Sequence, residues 1–191
     1  MIKIRKYKES DSTILWNIFF HAVRNVNIGD YSQKQVEAWA PNDFDPAVWA
    51  KSMAQLSPFV AEINGVVVGY ADIQDSGLID HFFCHHEYQG QGVGSTLMRH
   101  ILNFGEQRNI QCFYSEVSIT ARPFFEYFLF QVVKAQEIEV RGQKLNNFLM
   151  ERIVRDSIKW KGIHYQCMPF SISFSFYFTG ANSSDASRWA V

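Results

Sequence analysis

The chain has 191 residues, 47% apolar and 16% aromatic, enough to bury a sizeable core as one domain without disulfides or a structural metal. With 18 basic and 19 acidic residues its formal charge is -1, so no global field favours nucleic acid or an anionic membrane as partner. Cys84, Cys112 and Cys167 have neither CxxC zinc spacing nor the even count of a disulfide framework, and the expected setting is a reducing cytoplasm.

Ile2 to Arg5 reads as a strand within an opening stretch that alternates apolar and basic residues, unlike the apolar core of an export signal. No apolar run reaches the roughly 18 residues of a membrane span, so a soluble chain is expected. Ser10-Asp11 then offers caps for an amphipathic helix carrying Ile14, Leu15, Ile18 and Phe19, broken by Asn27 to Tyr31. Further helices are expected from Ser32 to Ala40 and from Pro46 to about Gln55. Phe59 to Ile63 and Val66 to Ile73 flank Asn64-Gly65, a pair suited to a type I′ hairpin turn.

Next come a strand from Leu78 to about His85, a helix from about Gly92 to Arg108, a strand from Cys112 to Val117 and a short helix around Ala121 to Phe128. Phe130 to Val140 and Lys144 to Ile153 form an antiparallel pair turning at Arg141-Gly142. Local hairpins, one strand-helix-strand crossover and a closing hairpin describe an α+β fold with a mixed, mostly antiparallel sheet. After about Ile153 the chain becomes charged, then alternates strictly over Ser171 to Phe178. Residues 154–191 are expected to be an extension, with an added strand or a dimer-forming edge at 171–178.

Gln89-Gly90-Gln91-Gly92-Val93-Gly94 stands where a strand passes into a helix. Helix entrances present unpaired amides and a positive dipole, and a diphosphate approaches closely only where side chains are missing. A nucleotide P-loop would need a lysine that is absent, and a dinucleotide fingerprint would place its third glycine one residue later. The six residues instead resemble the (Arg/Gln)-x-x-Gly-x-(Gly/Ala) loop of the GNAT acetyltransferases. Val117 to Phe130, with Ala121, Phe125, Glu126 and Phe130, is similar to that family's second motif. The resemblance spans about residues 2–152 and is strongest over 78–130, which makes 1–153 the expected acetyltransferase domain.

The resemblance implies a GNAT fold, acetyl-CoA as co-substrate without a metal, and N-acetylation of a primary amine of a small molecule or peptide by direct attack. It assigns the cofactor to Gln89, Gly90, Gln91, Gly92, Val93, Gly94 and Ser95. An oxyanion-donating amide is expected at Phe83 or Cys84, and a pantetheine contact at Ser118, which stands where the family has asparagine. Asp80, nine residues before Gln89, is the expected general base, with His81 and Glu116 in reserve. In a regular strand Asp80 would share a face with Leu78, Phe82 and Cys84, opposite His81. Phe125 occupies the position of the usual acid tyrosine and has no hydroxyl. Tyr127 is the nearest substitute, though rotated about 200° on an ideal helix.

Cys84 beside His85 and His86 reads as a packed thiol before it reads as a nucleophile, because adjacent strand residues face opposite ways. His85-His86-Glu87 lacks the spaced third ligand of a catalytic zinc site. In this family the acceptor is lined by the early helices and last hairpin, giving His21, Arg24, Tyr31, Trp39 and Trp49 as candidates. A catalytically silent acyl-CoA-binding module is the competing reading, motivated by Phe125, by Leu129 in place of the usual glycine, and by the extension.

Overall fold

A computed structural model describes residues 1–154. The expected extension and its alternating segment lie outside the described residues. Strand β1 (Ile2–Lys6) leads into helix α1 (Ser12–Asn25) through a 3-10 turn. Asp11 precedes α1 but does not cap it with its side chain. Its carboxylate instead accepts from Arg5 at 2.6 and 2.8 Å and from the Lys8 amide at 2.8 Å. Burial alone would push this carboxyl up, but Arg5 and the Lys8 amide hold it below the ordinary value.

Helix α2 (Gln33–Trp39) begins at Ser32, whose Oγ accepts from the Gln35 amide while the Gln35 side chain returns to the Ser32 amide, a reciprocal capping box. Helix α3 (Pro46–Leu56) is capped by Asp45, whose carboxylate accepts from the amides of Ala47 and Val48, with proline at the first turn. Strands β2 (Phe59–Ile63) and β3 (Val66–Ala71) form the expected hairpin, with Asn64 and Gly65 at φ 52° and 82°. Both signs match a type I′ turn.

The long strand expected from Leu78 is shorter: β4 covers only Phe82–Cys84, and Leu78 makes an isolated parallel bridge to Tyr114. β3 likewise ends at Ala71, short of Ile73. Helix α4 (Val93–Gln107), strand β5 (Cys112–Ser118), helix α5 (Arg122–Tyr127) and strands β6 (Gln131–Val140) and β7 (Gln143–Ile153) follow as expected. Arg141 and Gly142, both at positive φ, turn the last hairpin.

The strands form two antiparallel sheets, ordered β1-β2-β3-β4 and β5-β7-β6. β4 and β5 run parallel at their junction but are not paired as strands. Just before β4, Ile79 N donates to Tyr114 O, Tyr114 N to Gly77 O, and Ser115 Oγ to Ile79 O. Gly77 is required there: a Cβ on it would lie 2.0 Å from the Cys112 carbonyl oxygen, and its φ is 88°. Beyond this clasp the strands part. Helix α4 closes one face of the first sheet with Leu97, Met98 and Ile101 against Ala61, Val68 and Phe82. Helices α1 to α3 close the other face, where Phe19, Trp39, Trp49 and Met53 pack with Tyr70 and Phe83.

Candidate active site

The glycine loop opens α4 beside the end of β4. Gly92 is the N-cap of this 15-residue helix at φ 81°, and no side chain caps it. Gly90 also has positive φ, and nothing lies within 4 Å of where a Cβ would stand on Gly90 or Gly92. The first-turn amides of Val93, Gly94 and Ser95 have no helical acceptor ahead of them and carry the positive end of the dipole. Such a terminus suits a diphosphate.

Gly94 also serves packing: a Cβ there would meet the Phe124 ring at 3.2 Å and Cys84 Sγ at 3.5 Å. Its bareness lets α5 approach α4. The side chains of Gln89 and Gln91 turn back to the carbonyls of Cys84 and Glu87, both at 3.3 Å, and brace the loop from within. Val93 is buried in the core beneath α4.

Hydrogen-bond alternation identifies which β4 amides face the parting. Asp72 N donates to His81 O and His85 N to Val68 O, so residues 81, 83 and 85 turn their main-chain groups toward β3. Phe83 therefore spends its amide in the ladder, whereas Cys84 presents its amide to the opposite edge, toward β5. Burial pushes the Cys84 thiol up to about 12, which suits a packed thiol and opposes a thiolate nucleophile.

Asp80 is half-buried and lies outside any regular strand, so the expected strand face shared with Leu78, Phe82 and Cys84 does not exist at that residue. The cause is Asp72, 1% exposed, whose Oδ1 accepts from the amides of Asp80 at 3.0 Å and His81 at 2.6 Å. His81 is buried against Trp49, Tyr70 and Phe83, with Nδ1 3.2 Å from the Tyr70 hydroxyl. Burial, followed by the charges of Asp72 and Asp80, keeps Tyr70 a neutral phenol. Sequence reading missed Asp72; its only signal was a lone acid near the end of an apolar strand.

Ser118, fully buried at the end of β5, accepts from the Ala121 amide at 3.0 Å and so shapes the entrance to α5. Directly across the sheet is Asn147, also buried. Phe125 is buried against Phe82 and Phe130. Tyr127 is 70% exposed in a groove with Arg99, Asn103, Glu106 and Arg152, on the flank of α5 away from Phe125. This placement removes the support for Tyr127 as a stand-in acid.

The acceptor candidates divide. Tyr31 donates to Asn146 O at 2.7 Å and accepts from Ile119 N at 2.9 Å, tying the segment after α1 to β5 and β7. Arg24 donates to Ala40 O at 2.8 Å and pairs with Glu37 at 3.4 Å. Trp39 is core, and Trp49 is held by a bond from Nε1 to Ser12 O. Only His21 stays exposed, its ring 5.2 Å from that of His86. His85 Nδ1 accepts from the Glu87 amide and shapes the turn before the loop. Among the described residues no group of His, Cys, Asp and Glu is arranged to hold a metal, and no helix is long and apolar enough to cross a membrane.

Comparison with known proteins agrees with this architecture. Residues 27–152 match the acetyltransferase (GNAT) domain family. An uncharacterized N-acetyltransferase, YafP of Escherichia coli strain K12, is 36% identical over 149 residues, covering 78% of this chain and 94% of that protein. The crystal structure of a GCN5-related N-acetyltransferase from Rhodopseudomonas palustris superposes with a TM-score of 0.76 at 26% identity, over 80% of this chain and 95% of that one. The putative acetyltransferase yncA of Salmonella typhimurium, solved with its cofactor acetyl-CoA, gives a TM-score of 0.60 at 18% identity, over 85% and 99% of the two chains. With a glycine-opened helix beside two parting strands, and with these relatives, the chain belongs to the GNAT family of N-acetyltransferases.

Proposed function

We propose that the protein transfers an acetyl group from acetyl-CoA to a primary amine of a small molecule or peptide by direct attack on the thioester. The observation that carries this reading is the uncapped start of α4 at Gly92, open above Gly90 and Gly92, beside the parting of β4 and β5. The Salmonella neighbour's acetyl-CoA supports the choice of co-substrate. The amides of Val93, Gly94 and Ser95 receive the diphosphate, and the pantetheine arm enters between the strands toward Ser118.

The Cys84 amide, aimed at the open edge of β4, donates to the thioester oxygen as it becomes an oxyanion. Asp80 takes a proton from the acceptor's ammonium so that the neutral amine attacks the thioester carbon; the new C–N bond forms, the C–S bond breaks, and the surplus proton on nitrogen passes to solvent. Phe125 can supply no proton to the departing thiolate, which draws one from solvent. The exposure of His21, with its ring 5.2 Å from that of His86, supports its part in acceptor binding.

Calorimetric titration with acetyl-CoA, with NADH as control, tests the cofactor assignment, and thiol release with a panel of amines then tests turnover. Micromolar binding of acetyl-CoA alone is the expected result, while binding of NADH alone would remove the reading. Tight binding without turnover on any amine would favour the silent acyl-CoA-binding module. Asp80→Asn should lower kcat by about 10²-fold or more with little change in acetyl-CoA affinity. Unchanged turnover would exclude Asp80 as base.

A further inference from the structure

The segment between β3 and β4 carries a buried carboxylate that acetyl transfer does not itself require. Facing residues in a hydrogen-bonded antiparallel pair exchange two main-chain bonds. Asp72 and His81 complete only half of that exchange: Asp72 N donates to His81 O at 3.0 Å, but His81 N donates to Asp72 Oδ1 at 2.6 Å. The side chain has taken the place of its own main-chain carbonyl. The same carboxylate oxygen accepts from Asp80 N at 3.0 Å, and Gln74 Nε2 approaches Oδ2 at 3.5 Å.

On the other side, the chain just before this grip is clasped to β5 through Ile79 N to Tyr114 O and Ser115 Oγ to Ile79 O. Consecutive residues are thus anchored to different sheets: Ile79 to β5, Asp80 and His81 to the end of β3. That is where the two sheets begin to part. A buried carboxyl group is costly unless it is hydrogen-bonded, and its oxygen accepts from both amides. An apolar residue at position 72 could not hold either amide.

We infer that Asp72 is a positioning residue of the acyl-transfer site: by gripping the amides of Asp80 and His81, its carboxylate fixes where Asp80 stands at the parting of β4 and β5. The inference rests on Asp80 serving as the base. Asp72 itself touches no reacting atom. Its effect is to prevent the loop from sliding back into a regular ladder, which would rotate Asp80 onto a strand face.

The test compares full-length Asp72→Ala, Asp72→Asn and Asp80→Asn by acetyl-CoA calorimetry, by steady-state turnover, and by the amide NMR signals of Asp80 and His81. Asp72→Ala should lower kcat about 10²-fold, the effect of a displacement near 1 Å, and leave acetyl-CoA affinity within about threefold, because the glycine loop does not depend on this grip. Asp72→Asn, whose side-chain oxygen still accepts, should recover most of the lost turnover. The two amide signals should shift in Asp72→Ala and lie between the extremes in Asp72→Asn.

A folded Asp72→Ala protein with wild-type kcat, or with unmoved amide signals, would overturn the inference. Should Asp72→Ala not fold, Asp72→Asn decides: a smaller loss of kcat with displaced amide signals supports the grip, and wild-type values for both defeat it. Asp80→Asn separates the two layers of argument. If it turns over normally while Asp72→Ala does not, the base assignment fails and this inference falls with it. If the wild type binds no acetyl-CoA, the functional reading fails, and unmoved amide signals in the Asp72 variants would still refute the grip independently.

Discussion

At the scale of single residues, the site depends on what is missing as much as on what is present. Gly92 adopts a left-handed conformation that other residues enter at a cost of roughly 1–2 kcal/mol, and the space above it is open. Gly92→Glu should therefore fold with a modest loss of stability but bind no acetyl-CoA, since a carboxylate would stand where the diphosphate belongs. Retained affinity in a folded variant, measured by calorimetry, would defeat the loop assignment. Asp72 makes a second prediction. Burial, followed by the charge of Asp80, pushes its carboxyl up to about 7 from an ordinary 3.8. Between those values the folded protein holds a proton that the unfolded chain has released, so this group's contribution is fully present below the ordinary pKa and is lost as the pH rises through about 7. Asp72→Asn removes that loss, and its Tm relative to wild type should climb between about pH 4 and about pH 7 and level off above. A difference independent of pH would show that Asp72 does not titrate as described.

At the scale of elements, α4 must do two things on the proposed reading: present its first turn to the cofactor and lie close on β5. Gly105 permits the second, because a Cβ there would come within 2.4 Å of the Phe113 ring. Alanine would gain about 1 kcal/mol of helix propensity in a free helix. The collision outweighs this, and Gly105→Ala should destabilise the protein by about 1–3 kcal/mol in denaturant titration. A stabilised variant would mean that Phe113 moves aside without cost. The same element shows how local signals succeed: glycine at the entrance, amphipathic spacing along Leu97, Met98, Ile101 and Leu102, and a turn before β5 all act within a few residues. β4 shows where they fail. Its apolar run invites a strand from Leu78, but a carboxylate from eight residues before Asp80 takes the amides that such a strand would need.

At the scale of the whole molecule, the segment after α1, whose helix packs on the first sheet, is also tied to the second. Tyr31 makes that tie: its hydroxyl serves Asn146 O and Ile119 N, and burial pushes its ionisation up to about 12. Tyr31→Phe leaves both partners without their bond and should cost about 1–3 kcal/mol, while acetyl-CoA affinity changes little. If Tyr31→Phe weakened amine binding and left stability intact, Tyr31 would return to the acceptor site that its sequence position suggested.

The sequence by itself determined the α+β order, the Asn64-Gly65 hairpin, the proline-opened start of α3, and the glycine-opened helix. Each of these follows from dihedral preference, capping or periodicity among near neighbours. Only the tertiary structure decided that Asp72 interrupts the β3–β4 ladder, that Gly94 serves packing against Phe124, that Cys84 rather than Phe83 offers its amide, and that Arg24, Tyr31 and Trp39 support the fold. Those outcomes turn on hydrogen bonds and contacts between residues brought together by the parting of two sheets, and chain periodicity carries no record of which partner wins.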